Sequence, residues 1–274
     1  MTDKKYNIYW GAAGAGKAYS KHTSILPDYY VDNDEEKWGH QLNGKDIKPP
    51  NFLTPDIISQ VSQITITTGW VESVQNQLLS MNVPSEIIKI PAKSLLGSHP
   101  FTIKKNKVQS ARFLDLLMNF DPKIHIVAGG GTALGFFRDS DFIEWDFDFD
   151  LFASLKCKEA LSDLLRKLGC YYYIEDSTDI EGTVEIKGEV RLSFDDVIPF
   201  AIKFFDPDDK TYRDVYDNHS WEWPSTMFSE PLTVEVHGYN LKVPNPPQLY
   251  VEGVYGKSWK KPNPEFSHDD YGKA

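Results

Sequence analysis

Lys123 to Phe152 reads KIHIVAGGGTALGFFRDSDFIEWDFDFDLF. Ile124 to Ala128 predicts a strand. Gly129, Gly130 and Gly131 predict a turn that tolerates positive φ and lets a ligand approach the backbone. Thr132 to Arg138 predicts a short helix. From Trp145 to Asp150 aromatic and acidic residues alternate with period two. That pattern predicts a strand with Asp146, Asp148 and Asp150 on one face and Phe147 and Phe149 on the other. Same-face carboxylates about 7 Å apart repel one another unless solvated, paired or metal-bound. Asp148 and Asp150 suit Mg²⁺ (or Mn²⁺), a hard cation that takes carboxylate oxygens together with waters and substrate phosphates. The competing reading is a solvated acidic strand, but Asp is a poor strand former for that purpose.

Working outward, the N-terminal part alternates strands and helices, which predicts an α/β fold with a parallel sheet over residues 1–95. Tyr6–Trp10, Asp28–Asp32, Ile64–Thr68 and Glu86–Ile90 are the expected strands. Helices are expected from Lys17 to Ile25 and from Val71 to Met81. Residues 91–107 carry prolines, a glycine and a basic cluster and are the expected boundary. A second domain, α+β, is expected over 108–274, beginning with a helix from Ser110 to Phe120 capped by Ser110. Its proline-rich end, from Pro231, is expected to be irregular.

The segment Gly11-Ala-Ala-Gly14-Ala-Gly16-Lys17 follows a strand and opens a helix, where backbone N–H groups and the helix dipole favour phosphate. As a Walker A loop it lacks the hydroxyl residue, since Ala18 stands there. As a Rossmann turn it places Gly11, Ala13 and Gly16 at the three fingerprint positions. Asp32 lies where a ribose-binding acid would fall. Gly11, Gly14, Gly16 and Asp32 are the candidate nucleotide contacts. The alternative is a glycine turn that only packs a helix on the sheet.

The net charge of −11 argues against a broad nucleic-acid footprint. No apolar run reaches the ~20 residues of a membrane span, and no signal peptide is evident, so a cytoplasmic location is expected. The two cysteines, Cys157 and Cys170, offer neither a zinc pattern nor a disulfide framework. No HxxxH, HExxH or GxSxG motif is present.

GGGTALGFFRDSDFIEWDFDFDLF resembles the signature of the LicD and fukutin family, GGTLLGxxRxxxFIPWDDDIDI, within the nucleotidyltransferase superfamily. Gly130, Gly131 and Thr132 match its turn, Arg138 its arginine, and Asp148 with Asp150 its Asp-x-Asp pair. Asp146 matches the first acid after the tryptophan. Phe147 replaces the middle acid and Glu144 a proline. Phe194-Asp195-Asp196-Val-Ile-Pro199-Phe resembles the family's later acidic strand, with Asp196 as third acid and Asp195 its rival. Tyr255-Gly256 through Trp259 and Pro262 resembles the closing element, which implicates Lys257 and Lys260 near substrate. Earlier, GAAGAGK and the following DND…KWG…NGK stretch resemble Rossmann-like, nucleotide-sugar-binding modules of bacterial sugar-modifying enzymes.

These resemblances imply a Mg²⁺-dependent phosphotransferase. It would move phosphocholine, ribitol phosphate or glycerol phosphate from a CDP-activated donor to a glycan hydroxyl in surface polysaccharide biosynthesis. Asp148, Asp150 and Asp196 would hold metal, and Asp196 would also orient the acceptor. Gly130, Gly131 and Thr132 would cradle phosphate, and Arg138 would neutralise charge. The implied partners are a nucleotide-activated small molecule and a glycan, with no nucleic acid. The alternatives are a nucleotidyltransferase making an NDP-activated compound and a non-catalytic nucleotide-sugar-binding protein.

Overall fold

The structure, a computed structural model, describes residues 5–122, 125–177, 183–192, 197–216 and 219–272. The chain divides into two compact units. One is Met1–Ser98 with Asn263–Asp270, the other His99–Pro262 with Tyr271–Ala274.

In the first unit, β1 (Tyr6–Trp10), α1 (Gly14–His22), β2 (Tyr29–Val31), β3 (Gln41–Leu42) and β4 (Lys45–Lys48) precede α2 (Pro55–Ser59), β5 (Val61–Ile66), α3 (Val71–Ser80) and β6 (Ile88–Lys89). The sheet order is β3-β4-β2-β1-β5-β6. All neighbours run parallel except β3 and β4. Strand β1 is central and buried on both faces, as parallel sheets require. Ile8 and Trp10 pack with Val74 and Leu78 of α3. Tyr9, on the other face, packs with Tyr30 and Ile47. The unit is a Rossmann-like parallel sheet.

The β3–β4 hairpin falls in a stretch for which the sequence reading named no element. Asn43 and Gly44 both have positive φ (50° and 72°), the geometry of an Asn-Gly hairpin turn. The segment 263–270 rejoins this unit through Lys93 N–H to Phe266 O at 3.0 Å and Ser94 Oγ to Pro264 O at 2.8 Å.

The second unit contains α4 (Lys104–Asn119), β7 (Ile126–Ala128), α5 (Gly130–Asp139), β8 (Phe149–Ser154), α6 (Lys158–Lys167), β9 (Tyr171–Ser177), β10 (Thr183–Arg191) and β11 (Val197–Phe205). It continues with β12 (Thr211–Tyr216), β13 (His219–Pro224), α7 (Thr226–Ser229), β14 (Leu232–Val236), β15 (Tyr239–Val243) and α8 (Pro247–Tyr255). Its main sheet is mixed, ordered β7-β8-β11-β10-β9. Strand β11 is parallel to β8, with Ala201 opposite Asp150, and the other neighbours are antiparallel. One face of β8 is apolar: Phe149 lies against Phe101, Phe113 and Phe142. On the opposite face Phe152 meets Phe228 and Tyr250, which brings α7 and α8 over that side. Burying one such phenylalanine is worth roughly 1.5–3 kcal/mol.

Three sequence expectations are corrected here. Helix α4 starts at Lys104, so Ser110 is not its cap but a buried interior residue. Two buried polar residues explain the early start: Lys107 pairs with Asp141 at 2.7 Å, and Asn106 Nδ2 donates to Pro100 O at 3.1 Å. The stretch after Pro231 is not irregular, because His237 and Gly238 take positive φ and close the β14–β15 hairpin. The acidic strand begins at Phe149, not Trp145. Asp146 N–H bonds back to Ile143 O at 3.0 Å and Phe147 N–H to Asp146 Oδ1 at 3.1 Å, a local turn of the kind Asp favours over a sheet ladder. Pairing of β8 with β11 starts only at Phe149.

Candidate functional site

In the second unit the chain leaves β7, turns through Gly129 and enters α5 with Gly130 at φ +44°. The turn is clamped to β8. Gly129 N–H donates to Asp150 O at 2.8 Å, and Asp150 N–H donates to Thr132 Oγ1 at 3.1 Å. Thr132 is buried, so its hydroxyl fastens helix to strand. Gly130 N–H donates to the hydroxyl of fully buried Tyr250 at 2.9 Å.

Acids lie directly against both glycines. A β-carbon at Gly130 would overlap Asp150 Oδ2, and one at Gly131 would overlap Asp146 Oδ2. Both carboxylates therefore press on the backbone of the first helical turn, where the helix dipole is positive. Gly129, the N-cap residue, offers no side chain to that helix end, and Tyr250 accepts from Gly130 N–H instead.

Asp148 lies two residues before Asp150, just ahead of β8. It lines a cleft of about 310 Å³ with Tyr171, Tyr173, Lys187, Glu189, Pro199 and Ala201. By the strand alternation, Asp150, Ala201, Lys187 and Tyr173 share one face of the sheet. Asp146 and Asp150 thus lie against the glycine turn, and Asp148 lines the cleft on the face that Asp150 shares.

Lys203, on the same face of β11, was not singled out by sequence. Its ammonium bonds Asp214 Oδ1 at 2.6 Å and Val215 O at 2.8 Å. Burial pulls its pKa down, but Asp214, Glu185 and Asp150 outweigh burial and hold the lysine above its ordinary value. The available signal was a lone lysine in the apolar run VIPFAIKFF. Tyr250, similarly missed, gave no distinguishing pattern.

Arg138 sits in the last turn of α5, about 12 Å along the axis from Gly130. Its Nη2 bonds Asp139 Oδ2 at 2.6 Å and its Nη1 donates to Trp259 O at 3.4 Å. The guanidinium is thereby brought to Asp139 rather than to the turn. Lys260 lies over the Trp259 ring. Asp195 and Asp196 lie outside the described residues. Among the described residues no group of three or more His, Cys, Asp or Glu is placed to hold a metal ion. A metal set built on Asp148 and Asp150 would need a further oxygen ligand beside them.

The glycine turn of the first unit has a different interior. A β-carbon at Gly11 would overlap Thr67 O, and one at Gly16 would overlap Gly11 O, whereas Gly14 has open space. Asp32 is buried. Its Oδ2 accepts from Ala12 N–H at 2.7 Å and from Lys37 Nζ at 3.2 Å, and its Oδ1 accepts from Asp34 N–H at 2.9 Å. Both oxygens of Asp32 are thus engaged within its own loop.

No helix among the described residues is long and apolar enough to cross a membrane. Cys157 and Cys170 are both free thiols, each pushed up to about 11 by burial.

A comparison with curated proteins finds no match. Among solved structures, the chain is similar to UDP-D-quinovosamine 4-dehydrogenase from Vibrio fischeri, at 21% identity over 29% of this chain and 74% of that one, TM-score 0.25. It is similar to the lincosamide antibiotic adenylyltransferase LnuA, lincomycin-bound, at 12% identity over 52% of this chain and 83% of that one, TM-score 0.33. It is also similar to the Cid1 poly(U) polymerase, at 14% identity over 49% of this chain and 35% of that one, TM-score 0.27. Residues 123–246, which hold the glycine turn, the acids and the mixed sheet, match the family LicD/FKTN/FKRP, nucleotidyltransferase domain, and so mark the second unit as carrying a transferase-type domain.

Proposed function

We propose that the second unit is a metal-assisted phosphotransferase. It moves a phospho-alcohol of the phosphocholine, ribitol phosphate or glycerol phosphate type from a CDP-activated donor to a glycan hydroxyl in surface polysaccharide synthesis. The observation that supports this reading is the glycine pair pressed by Asp150 and Asp146, within a LicD/FKTN/FKRP match. The bare glycine backbone lets the carboxylates lie against the helix N-terminus, which leaves oxygen ligands for a cation beside the N–H groups that would face phosphate. The donor set fits Mg²⁺: Asp148 and Asp150, with Asp196, would hold the cation, which when bound neutralises charge on the diphosphate and on departing CMP.

In the proposed step the acceptor oxygen bonds to the phosphorus of the phospho-alcohol. The P–O bond to CMP breaks, CMP keeps the electron pair, and the acceptor proton passes to a carboxylate, for which Asp196 is proposed. The backbone of Gly130 and Gly131 positions the donor phosphate. Thr132 and Tyr250 hold that turn in place through the bonds described above. Arg138 acts as a positioning residue, fixing the far end of α5 to Trp259. In the first unit, Gly11, Gly14, Gly16 and Asp32 are proposed to shape the Rossmann turn, with Asp32 fastening it.

The test is CMP release from CDP-choline, CDP-ribitol and CDP-glycerol in Mg²⁺, with and without glycan acceptors. Alongside it, CTP with phosphorylated alcohols is assayed for pyrophosphate. Metal-dependent CMP release supports the proposal. Pyrophosphate from CTP without CMP release replaces it with nucleotidyl transfer.

A further inference from the structure

The cleft beside Asp148 holds features that donor binding does not use. Tyr171 and Tyr173 are two apart on β9, so they share a face about 7 Å from one another. They are 72% and 52% exposed, far more than aromatic residues in this fold need to be. Across β9 and β10, Tyr171 stands opposite Glu189 and Tyr173 opposite Lys187. The two rings therefore form a shelf bordered by a cation and a carboxylate, with Asp148 at its far edge.

The position of the shelf is informative. In the order β7-β8-β11-β10-β9, the glycine turn follows β7, while the tyrosines lie on β9, at the opposite edge. Asp148 and β8 stand between them. A donor phosphate at the turn and a second substrate on the shelf would meet at the acids from two sides.

The chemistry of the shelf selects its ligand. Asp148 and Glu189 outnumber Lys187, which disfavours a diphosphate or any polyanion. Side-by-side aromatic faces flanked by a donor and acceptors suit a neutral ring that presents apolar C–H on one face and hydroxyls at its rim. The cleft, about 310 Å³, is at the small end of ligand pockets and matches one or two rings rather than a long chain.

We propose that Tyr171 and Tyr173, with Lys187 and Glu189, form the acceptor subsite and bind a neutral sugar ring, presenting one of its hydroxyls toward Asp148. This rests on the phosphotransferase reading, and deepens it by assigning the acceptor class and its place.

Saturation-transfer NMR on the full chain tests the subsite without turnover. The probes are the methyl glycosides of glucose, galactose, N-acetylglucosamine and N-acetylgalactosamine, with CMP as a separate probe. At least one glycoside is expected to bind. Tyr171→Ala and Tyr173→Ala should each weaken it about fivefold to tenfold, Tyr173→Trp should restore binding, and the CMP signal should not change. The exposure of both rings makes these variants compatible with folding, checked by melting temperature. The subsite is overturned if no glycoside binds, if the alanine variants bind it unchanged, or if CMP binding falls instead, which would make the shelf a nucleobase site. Glycoside binding in a protein that never releases CMP would sink the phosphotransfer chemistry and leave the subsite standing.

Discussion

Two turns in this chain are built from the same parts and use their acids in opposite ways. Each follows a strand, contains several glycines, opens a helix and lies near aspartate. In the first, the carboxylate of Asp32 is saturated by Ala12, Asp34 and Lys37, so it serves the loop. In the second, Asp150 and Asp146 press on glycines that have no room for a side chain. The difference teaches that a glycine turn with an acid is not a site by itself. In the first turn the acid is bonded within its own loop, while in the second the acids lie against glycine backbone.

The cations beside the two turns give the largest expected contrast. Lys203→Met should cost about 3–5 kcal/mol, because it strands the buried Asp214 carboxylate without its partner. Lys37→Met, which removes a partly exposed partner of Asp32, should cost under about 1 kcal/mol. Urea unfolding of both variants checks this. Equal losses would mean that the two acids sit in equivalent electrostatic surroundings.

Single methyl additions probe the backbones next. Gly130→Ala should cost about 1–3 kcal/mol, through overlap with Asp150 and a positive φ, and should lower activity with it. Gly16→Ala should cost a similar amount through overlap with Gly11 O, yet leave activity per folded molecule intact. Gly14→Ala, with open space, should be neutral or stabilise by up to about 1 kcal/mol. A destabilised Gly14→Ala variant would show that the first turn is more constrained than its packing indicates.

Asp32→Ala sharpens the comparison further. Removing the acceptor of the buried Ala12 N–H should cost about 1–3 kcal/mol. Calorimetric melting reads the loss, and an unchanged melting temperature would free Asp32 for a ligand role.

The smallest effect is one of pH. Burial alone would raise Asp141, but hydrogen bonds from Lys107, His237 and the Phe142 N–H hold its carboxyl below the usual 3.8. A carboxyl lowered on folding contributes stability above its unfolded value, and that contribution is lost as pH falls below about 4. Asp141→Asn should therefore flatten the acid limb of the stability curve and leave its neutral region parallel to wild type. Acid titration of the melting temperature checks the slope.

Much of this was legible in the residues. A buried apolar run placed β1, a β-branched run placed β5, and helical spacing placed α3. The WDFDFD alternation correctly put Phe149 in the core. It failed from Trp145 to Phe147 because Asp146 satisfies a local turn instead of a ladder. Sequence located the glycine turn and its acids, but not that Asp146 leaves the strand and lies on Gly131, which only side-chain packing shows. The tyrosine shelf was illegible for a related reason. Tyr171 and Tyr173 gain meaning only when β10 and β11 bring Lys187 and Ala201 beside them. The β3–β4 hairpin carried a signal in Asn43-Gly44 that the sequence reading did not use.

The central claim is that the acids of the second turn, and not Asp32 of the first, carry the chemistry. The direct measurement is the rate of Mg²⁺-dependent CMP release from CDP-activated donors for wild type, Asp150→Asn and Asp32→Asn, each shown folded by its melting curve. The account predicts a fall on the order of 100-fold or more for Asp150→Asn, and a near wild-type rate per folded molecule for Asp32→Asn. A near wild-type rate in Asp150→Asn, or an equal loss in Asp32→Asn, would contradict it.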